Sequence, residues 1–197
     1  MALRLGDTTA RDLGRLTLNP IPHIDPVGSI LVPLFSLTVA GRVFIAWAKP
    51  VPINPLNFLH YRRDDILVSI VGPLSNIIIA ACCTFMFIIL VKVDSAALYG
   101  DGLTLQAMHF LMKMFYGGIT LNIVLAVFNM IPIPPLDGSH VVASLLPHGL
   151  SRRYRSLGFL GIFAVLVLMR WEPFAIFFST MIEVLEFPFH SLIHAFV

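Results

Sequence analysis

The sequence has little charge. Of its 197 residues, 12% are charged and 57% are hydrophobic, and the mean hydropathy is +0.88. Soluble domains are about 25% charged and about 45–50% apolar, so we expect lipid rather than water to cover much of this chain. The net charge of +2 is too small to indicate nucleic-acid binding. We therefore expect a membrane protein with no nucleic-acid partner.

Cysteine is also scarce. The two cysteines, Cys82 and Cys83, are neighbours inside an apolar run, where they are predicted to be small buried residues rather than a disulfide. The first 20 residues lack the apolar stretch of a signal peptide. Internal repeats and low-complexity tracts are absent from the sequence. The length predicts a single membrane-embedded domain over residues 1–197.

Long apolar stretches are plentiful. A membrane-crossing helix needs about 20 mainly apolar residues, and the stretches that approach this length are 27–48, 66–91, 103–131 and 157–169, the last followed by 174–185. They predict an α-helical polytopic membrane protein with about four to five membrane helices. Stretch 27–48 contains Pro33, Gly41 and Arg42, so it is either an ordinary span or a re-entrant segment. The last stretch is either one long tilted helix or two short helices.

The basic residues predict an orientation. They flank the first stretch on both sides and precede the last, whereas the loop at 92–102 holds one lysine. The excess of basic residues on cytoplasmic loops places 49–65 and 147–155 in the cytoplasm and 92–102 outside. We expect a multi-pass protein of the cell (inner) membrane.

Prolines interrupt the helical pattern. Pro50, Pro52 and Pro55 exclude a regular helix from 48–56. Residues 15–18 have a strand-like composition and stop at an Asn-Pro pair. Both segments are predicted to form a small extended or β element.

The sequence NMIPIPPLDG, at 129–138, places a carboxylate after a proline-bent turn at the end of a membrane helix. Asp137 and Gly138 are predicted to form a turn, with a second helix beginning near Ser139. An Asp-Gly pair is commonly a structural turn. An ionisable side chain at membrane depth is also a candidate functional residue, so Asp137 is interpreted either as a turn residue or as a metal ligand.

The same segment resembles the Asn-x-x-Pro-x-x-Pro-x-Asp-Gly signature of the site-2 protease family of intramembrane zinc metalloproteases. Three further segments, 5–33, 47–55 and 62–76, resemble parts of that family in the same order. The resemblance implies that Asp137 is the third zinc ligand. It implies that Asn129 helps to position the substrate or the oxyanion, and that the catalytic site lies near the cytoplasmic face of the membrane.

The resemblance also implies an activity. Family members use zinc to cleave peptide substrates that are embedded in the membrane, so the expected partners are such a peptide and the lipid bilayer. The proline-rich segment is expected to pair with unwound substrate as an added strand. Its residues are Pro50, Val51, Pro52, Ile53 and Asn54. The oligomeric state is not assigned.

One departure from the family pattern is large. The other two zinc ligands of the family lie in a His-Glu-x-x-His helix, and no such motif occurs in these 197 residues. That helix and a first membrane helix are expected to lie before Met1, and the chain alone is expected to be inactive for lack of two zinc ligands. The alternative is a non-catalytic relative or fragment that binds partners.

Other histidines are candidates to replace the two missing zinc ligands. Glu186, His190 and His194 share one helical face, but no glutamate directly follows the first histidine, as hydrolysis would need. We interpret them as an amphipathic surface at the membrane interface rather than as a metal-binding face. His140, three residues after Asp137, is expected to support the site or to lie at the surface.

Overall fold

The computed structural model describes residues 1–17, 19–41, 46, 48–95, 102–158 and 160–196. Over these residues the regular structure is helical, and no β-strand occurs. The chain forms two compact units, Met1–Asp64 and Asp65–Val197. A helical polytopic architecture is therefore confirmed.

The first unit consists mainly of short helical turns. It contains 3₁₀ turns at Ala2–Leu5, Ile21–His23 and Pro55–Asn57, helix α1 at Thr9–Asp12, and a π-helical turn at Pro26–Leu31 that continues into α2 at Val32–Ala40. The Asp25 carboxylate begins this continuous segment by accepting bonds of 2.9 Å from the amides of Val27 and Gly28. Gly41 ends it with a φ of 69°.

The helical segment 26–40 is too short to cross a membrane alone. At 1.5 Å per residue it measures at most about 23 Å, whereas the hydrocarbon core is about 30 Å thick. Residues 42–45 and 47, which include Arg42, lie outside the described residues. The described part of stretch 27–48 is therefore an apolar helix that falls short of a full crossing.

Residues 48–54 of the proline-rich segment are not helical, as predicted, but they do not form a strand, and Pro55 and Leu56 belong to the 3₁₀ turn Pro55–Asn57. The Arg15 guanidinium donates to the carbonyl oxygens of Lys49, at 2.9 Å, and Pro50, at 3.2 Å. Asn54 has extended backbone angles, and its side-chain oxygen caps the turn that follows. Because prolines lack the amide donors that a strand ladder needs, the predicted element is an extended coil held by side chains. Residues 15–17 are likewise non-helical, and Leu18 lies outside the described residues.

Six helices complete the chain: α3 at Tyr61–Ser95, α4 at Leu103–Asn129, α5 at Asp137–Leu145, α6 at His148–Arg155, α7 at Leu160–Leu168 and α8 at Glu172–Phe196. Three of the described helices, α3, α4 and α8, are long and apolar enough to span a membrane. Segment 26–40 and α7 are apolar but shorter. The alternatives for 157–185 resolve as two helices, because α7 ends at Leu168 and α8 begins at Glu172.

The three long helices share one core. Their buried side chains pack together in a cluster formed by Ala80 and Ile88 of α3, Ile119 and Ile123 of α4, and Ile193 of α8. Gly118 allows α3 and α4 to approach closely, since a Cβ at this position would lie 3.0 Å from the Cys83 sulfur. Large apolar side chains such as Phe85, Phe110 and Phe187 remain more than 60% exposed on these helices. Lipid contact accounts for this exposure in a membrane protein.

Candidate metal centre

A compact loop of residues 130–136 connects α4 to α5. Asn129 is the last residue of α4. The Ile133 amide donates to the Ile131 carbonyl at 2.9 Å, and the Leu136 amide donates to the Ile133 carbonyl at 3.0 Å. The turn is therefore complete before Asp137, which is the first residue of α5. The predicted turn at Asp137 and helix start near Ser139 were wrong by two residues, because the preceding prolines already reverse the chain.

Two glycines and a tyrosine hold this loop in place. A Cβ on Gly138 would collide with the Met130 carbonyl oxygen, and one on Gly161 would collide with the Pro134 carbonyl oxygen. The Tyr154 hydroxyl donates to the Pro132 carbonyl at 2.6 Å. Helices α5, α6 and α7 thus all contact the loop. Only glycine permits the two closest approaches, since any other residue would place a side chain inside the backbone.

Asp137 lies half-buried at the beginning of α5. Its Oδ2 would lie 2.8 Å from a Cβ placed on Gly72 of α3, so the carboxylate occupies space that the glycine leaves open. Burial raises the pKa of Asp137, and the nearby charge of His140 lowers it by a smaller amount. No hydrogen bond to protein contributes to this pKa. The lone pairs of this half-buried carboxylate are therefore not taken up by a hydrogen bond to the described part of the protein.

A second carboxylate supports the helix that carries Asp137. The Asp65 side chain is 5% exposed and accepts from Arg155 Nη2 at 2.6 Å and from Ser144 Oγ at 2.9 Å. His140 Nδ1 lies 3.3 Å from Asp65 Oδ1 and 3.0 Å from Arg155 Nη1. His140 thus contacts the residues that support α5 while its side chain is 38% exposed, and its role at the site stays a prediction. It joins α3, α5 and α6 one turn after Asp137.

The other predicted site residues lie in different surroundings. Asn129 is half-buried at the end of α4. The substrate segment from Pro50 to Asn54 belongs to the first unit, where Val51 is 42% and Ile53 is 44% exposed. Asn129 and Asp137 thus flank one loop.

Asp7 secures the far end of the proline-rich segment. Its buried carboxylate accepts from the Asn54 amide at 2.9 Å, from Asn57 Nδ2 at 3.0 Å, and from both the amide, at 3.1 Å, and the hydroxyl, at 2.5 Å, of Thr9. Burial alone would raise the pKa of Asp7, but these bonds together lower it to about 2. The carboxylate is saturated by protein donors, so it serves the structure.

A complete metal-binding set is absent from the described part of the chain. No group of three His, Cys, Asp or Glu side chains converges there. His190 packs its ring against Tyr116 with centroids 5.7 Å apart, and His194 is exposed. The interpretation of the α8 histidines as something other than a metal site stays a prediction.

Three residues at this centre, Gly72, Asp65 and Arg155, are not among the site residues that the sequence predicts. Asp65 carried one usable signal, since it is an acidic residue directly before an apolar run. Such residues are buried only when they are paired.

Comparisons with known proteins identify the family of this chain. The model of Peptidase family M50 matches residues 59–169, which include Asp65, Gly72 and the whole 129–138 segment. A curated relative in Bacillus subtilis (strain 168), "Putative zinc metalloprotease YwhC", is 38% identical over 170 residues, covering 85% of this chain and 70% of the relative. Another in Mycolicibacterium smegmatis, "Putative zinc metalloprotease Rip2", is 28% identical over 183 residues, covering 86% of this chain and 61% of the relative.

No solved structure matches the chain. The family match covers more than half of the sequence and contains the candidate ligand, and the long apolar helices fit a multi-pass membrane protein. The chain therefore belongs to peptidase family M50, the site-2 protease family of metalloproteases.

Proposed function

We propose that Asp137 is one ligand of a zinc centre that cleaves membrane-embedded peptides. This proposal is supported by a half-buried carboxylate that accepts no hydrogen bond from any described residue and that lies at the family's Asp-Gly position. Its relatives are named zinc metalloproteases, which supports zinc as the cation. Zinc would supply a Lewis acid and an activated water for peptide hydrolysis.

The residues of this chain supply one zinc ligand and not a complete zinc site. Asp137 offers oxygen lone pairs at the N-terminus of α5, in a position whose burial disfavours an uncompensated charge. A catalytic zinc centre takes three protein ligands, and the printed sequence contains no His-Glu-x-x-His pair. These 197 residues alone are therefore expected to bind zinc weakly and to leave peptides uncleaved.

Asn129 is proposed to position the substrate carbonyl. Its carboxamide stands at the end of α4, across the 130–136 loop from Asp137. A carboxamide can donate to a developing oxyanion without changing its own charge. Replacement by Asp removes the donor and keeps the size, so kcat should fall more than KM rises.

The segment from Pro50 to Asn54 is proposed to bind unwound substrate as an added strand. Arg15 holds its beginning and Asp7 holds its end. Among the described residues, no hydrogen bond occupies the backbone of Val51 or Ile53. Unchanged cleavage after replacement of Pro52 and Pro55 in a homologue with all three zinc ligands would contradict this role.

The location proposed for the enzyme is the cell (inner) membrane, with Asp137 near the cytoplasmic face. The basic residues of α6 support this orientation, since Arg152 and Arg153 are exposed one short helix after Asp137. A membrane-impermeant reagent should modify cysteines introduced at these two positions from the cytoplasmic side only.

The test uses the 197-residue chain and the DNA that encodes it. In proteoliposomes with a transmembrane peptide, the chain alone should show no chelator-sensitive cleavage. If the reading frame extends upstream into a His-Glu-x-x-His motif, its longer product should hold one zinc ion and cleave the peptide. Asp137→Ala should abolish both properties. Zinc binding that is unchanged in Asp137→Ala would overturn the proposal.

The absence of two ligands from the sequence favours one second candidate, a non-catalytic relative that binds partners. An upstream sequence without the motif would support it. Such a protein would retain the fold of α3 to α8 and would give no cleavage in any length of product.

A further inference from the structure

Within the described ranges of the chain, the Asp137 side chain makes no hydrogen bond, so its position depends on the helix that carries it. Carboxylates that bind metals are commonly oriented by further hydrogen-bond partners. Here the hydrogen bonds are made instead by other residues of α5, His140 and Ser144, both of which contact Asp65. The orientation of α5 therefore determines where the Asp137 carboxylate lies.

The three residues lie on one face of α5. Asp137, His140 and Ser144 follow one another at intervals of three and four, which brings them to the same side of a helix. Asp65 contacts this side at two points one turn apart. Because both contacts would break together, the Asp65 carboxylate resists rotation of α5 about its own axis.

Arg155 closes the arrangement from α6. Its guanidinium contacts both Asp65 and His140. Only two residues, at positions 146–147, separate α5 from α6. The Asp65 side chain is 5% exposed and that of Arg155 is 25% exposed. A rotated α5 would leave a buried charge without its partner, which is costly in a protein interior. The ion pair therefore favours one setting of the helix.

Close packing at the first turn of α5 means that the rotation of this helix affects the position of Asp137. Gly138 touches the backbone of Met130, and Gly72 leaves room for Asp137 Oδ2. A small rotation of α5 would move the carboxylate against α3 or out of the gap. Metal ligands tolerate little displacement, since ligand distances vary by only about 0.2 Å in good sites.

We propose that Asp65, together with Arg155, is a positioning residue that sets the rotation of α5 and thereby aims the Asp137 carboxylate at the cation. This inference rests on the proposed role of Asp137 as a zinc ligand. It assigns to Asp65 and Arg155 a part in metal binding although neither touches the metal ligand.

The experiment reads Asp137 directly. The chain is labelled with ¹³C at aspartate carboxyl carbons, placed in lipid nanodiscs and titrated with Zn²⁺ while the Asp137 resonance is followed. Asp65→Asn should shift or broaden that resonance before zinc is added. It should also weaken the zinc affinity about 10–100-fold, the usual effect of removing an outer-shell partner.

Matched variants separate positioning from general stability. Arg155→Gln should reproduce the effect of Asp65→Asn, while Arg152→Gln, an exposed arginine on the same helix, should not. Ile123→Ala lowers stability in the three-helix core, away from α5, and should leave the zinc affinity unchanged. Ser144→Ala keeps the ion pair and should give a smaller shift in the same direction, which supplies a reading if Asp65→Asn does not fold.

Each outcome decides one claim. If wild-type Asp137 binds zinc and Asp65→Asn binds it equally well, the positioning role is overturned and the proposed function stands. If Ile123→Ala weakens zinc binding as much as Asp65→Asn, Asp65 is only a stabilising residue. If wild-type Asp137 ignores zinc, the proposed function fails, and the metal-free resonance in Asp65→Asn still decides whether Asp65 orients α5.

Discussion

Two carboxylates of this protein, one buried and one half-buried, differ in their hydrogen bonds. Asp7, in the first unit, accepts from Thr9, Asn54 and Asn57, and these bonds bring its pKa down to about 2. Asp137, in the second unit, accepts no hydrogen bond from the residues that the structure describes, and burial raises its pKa. One carboxylate has used its lone pairs within the fold, whereas the other keeps them available.

This difference in hydrogen bonding distinguishes an acidic residue that stabilises the fold from one that is available to bind a ligand. A saturated carboxylate stabilises the fold and has nothing left with which to bind a ligand. An unsaturated buried carboxylate costs stability, and a protein retains such a residue where its chemistry is used.

The largest loss of stability is expected from a third carboxylate that is saturated like Asp7 but has a charged partner. Asp65→Ala leaves Arg155 partly buried without that partner and should lower the free energy of unfolding by about 3–5 kcal/mol. Arg152→Gln, on the exposed face of α6, should change it by less than about 0.5 kcal/mol. Chemical unfolding in mixed micelles measures both, and equal effects would show that the Asp65 cluster contributes little.

The next largest change in the free energy of unfolding is expected at Asp7, and it can be compared with the change at Asp137. Asp7→Ala leaves the Asn54 and Thr9 amides without their acceptor and should cost about 1–3 kcal/mol. Asp137→Asn removes a buried charge that no group of the protein satisfies, so the free energy of unfolding should stay the same or rise. The same unfolding measurement serves here, and a larger loss in Asp137→Asn than in Asp7→Ala would reverse our assignment of roles.

Acid should remove the contribution of Asp7. Its pKa is about 2 in the folded chain and 3.8 as the ordinary value, so between these values the unfolded chain binds more protons. The stability that Asp7 contributes is fully present above about pH 4 and declines as the pH falls towards 2. Asp7→Ala should flatten this part of the pH profile of unfolding, and an unchanged profile would show that Asp7 is not the group responsible.

The smallest stability change is expected at Gly72. A methyl group there would meet Asp137 Oδ2 at 2.8 Å, whereas one at Gly117 would have no neighbour within 4 Å. Because the obstructed atom ends a side chain, Gly72→Ala should displace the carboxylate and alter stability by less than about 1 kcal/mol. Zinc should bind more weakly to Gly72→Ala than to Gly117→Ala. Equal zinc affinities would show that the gap at Gly72 is unimportant.

The sequence predicted the elements whose signals are local. The long apolar runs identified α3 and α4, while the shorter run 174–185 indicated only part of α8, which continues to Phe196. The proline pattern before Asp137 marked the end of α4 and the candidate ligand. The predicted turn at Asp137 failed because the Asp-Gly pair has a strong local preference for turns. In the fold the prolines had already formed the turn, and Gly138 instead packs against the Met130 backbone.

The supporting residues could not be predicted in the same way. Asp65 meets His140 and Arg155 across 75 and 90 residues of chain, a separation over which helical periodicity carries no information. The Arg155 charge also has an ordinary explanation as a topology signal next to the membrane. Only the packing of α5 and α6 distinguishes it from its exposed neighbours Arg152 and Arg153.

The most direct test of this account follows the carboxyl carbons of Asp7 and Asp137 by ¹³C NMR during one zinc titration of the 197-residue chain in nanodiscs. We predict that the Asp137 resonance moves with added zinc, even though the affinity is low, and that the Asp7 resonance stays in place. A stationary Asp137 resonance, or a zinc response at Asp7 alone, would contradict the claim that the unsatisfied carboxylate is the metal ligand.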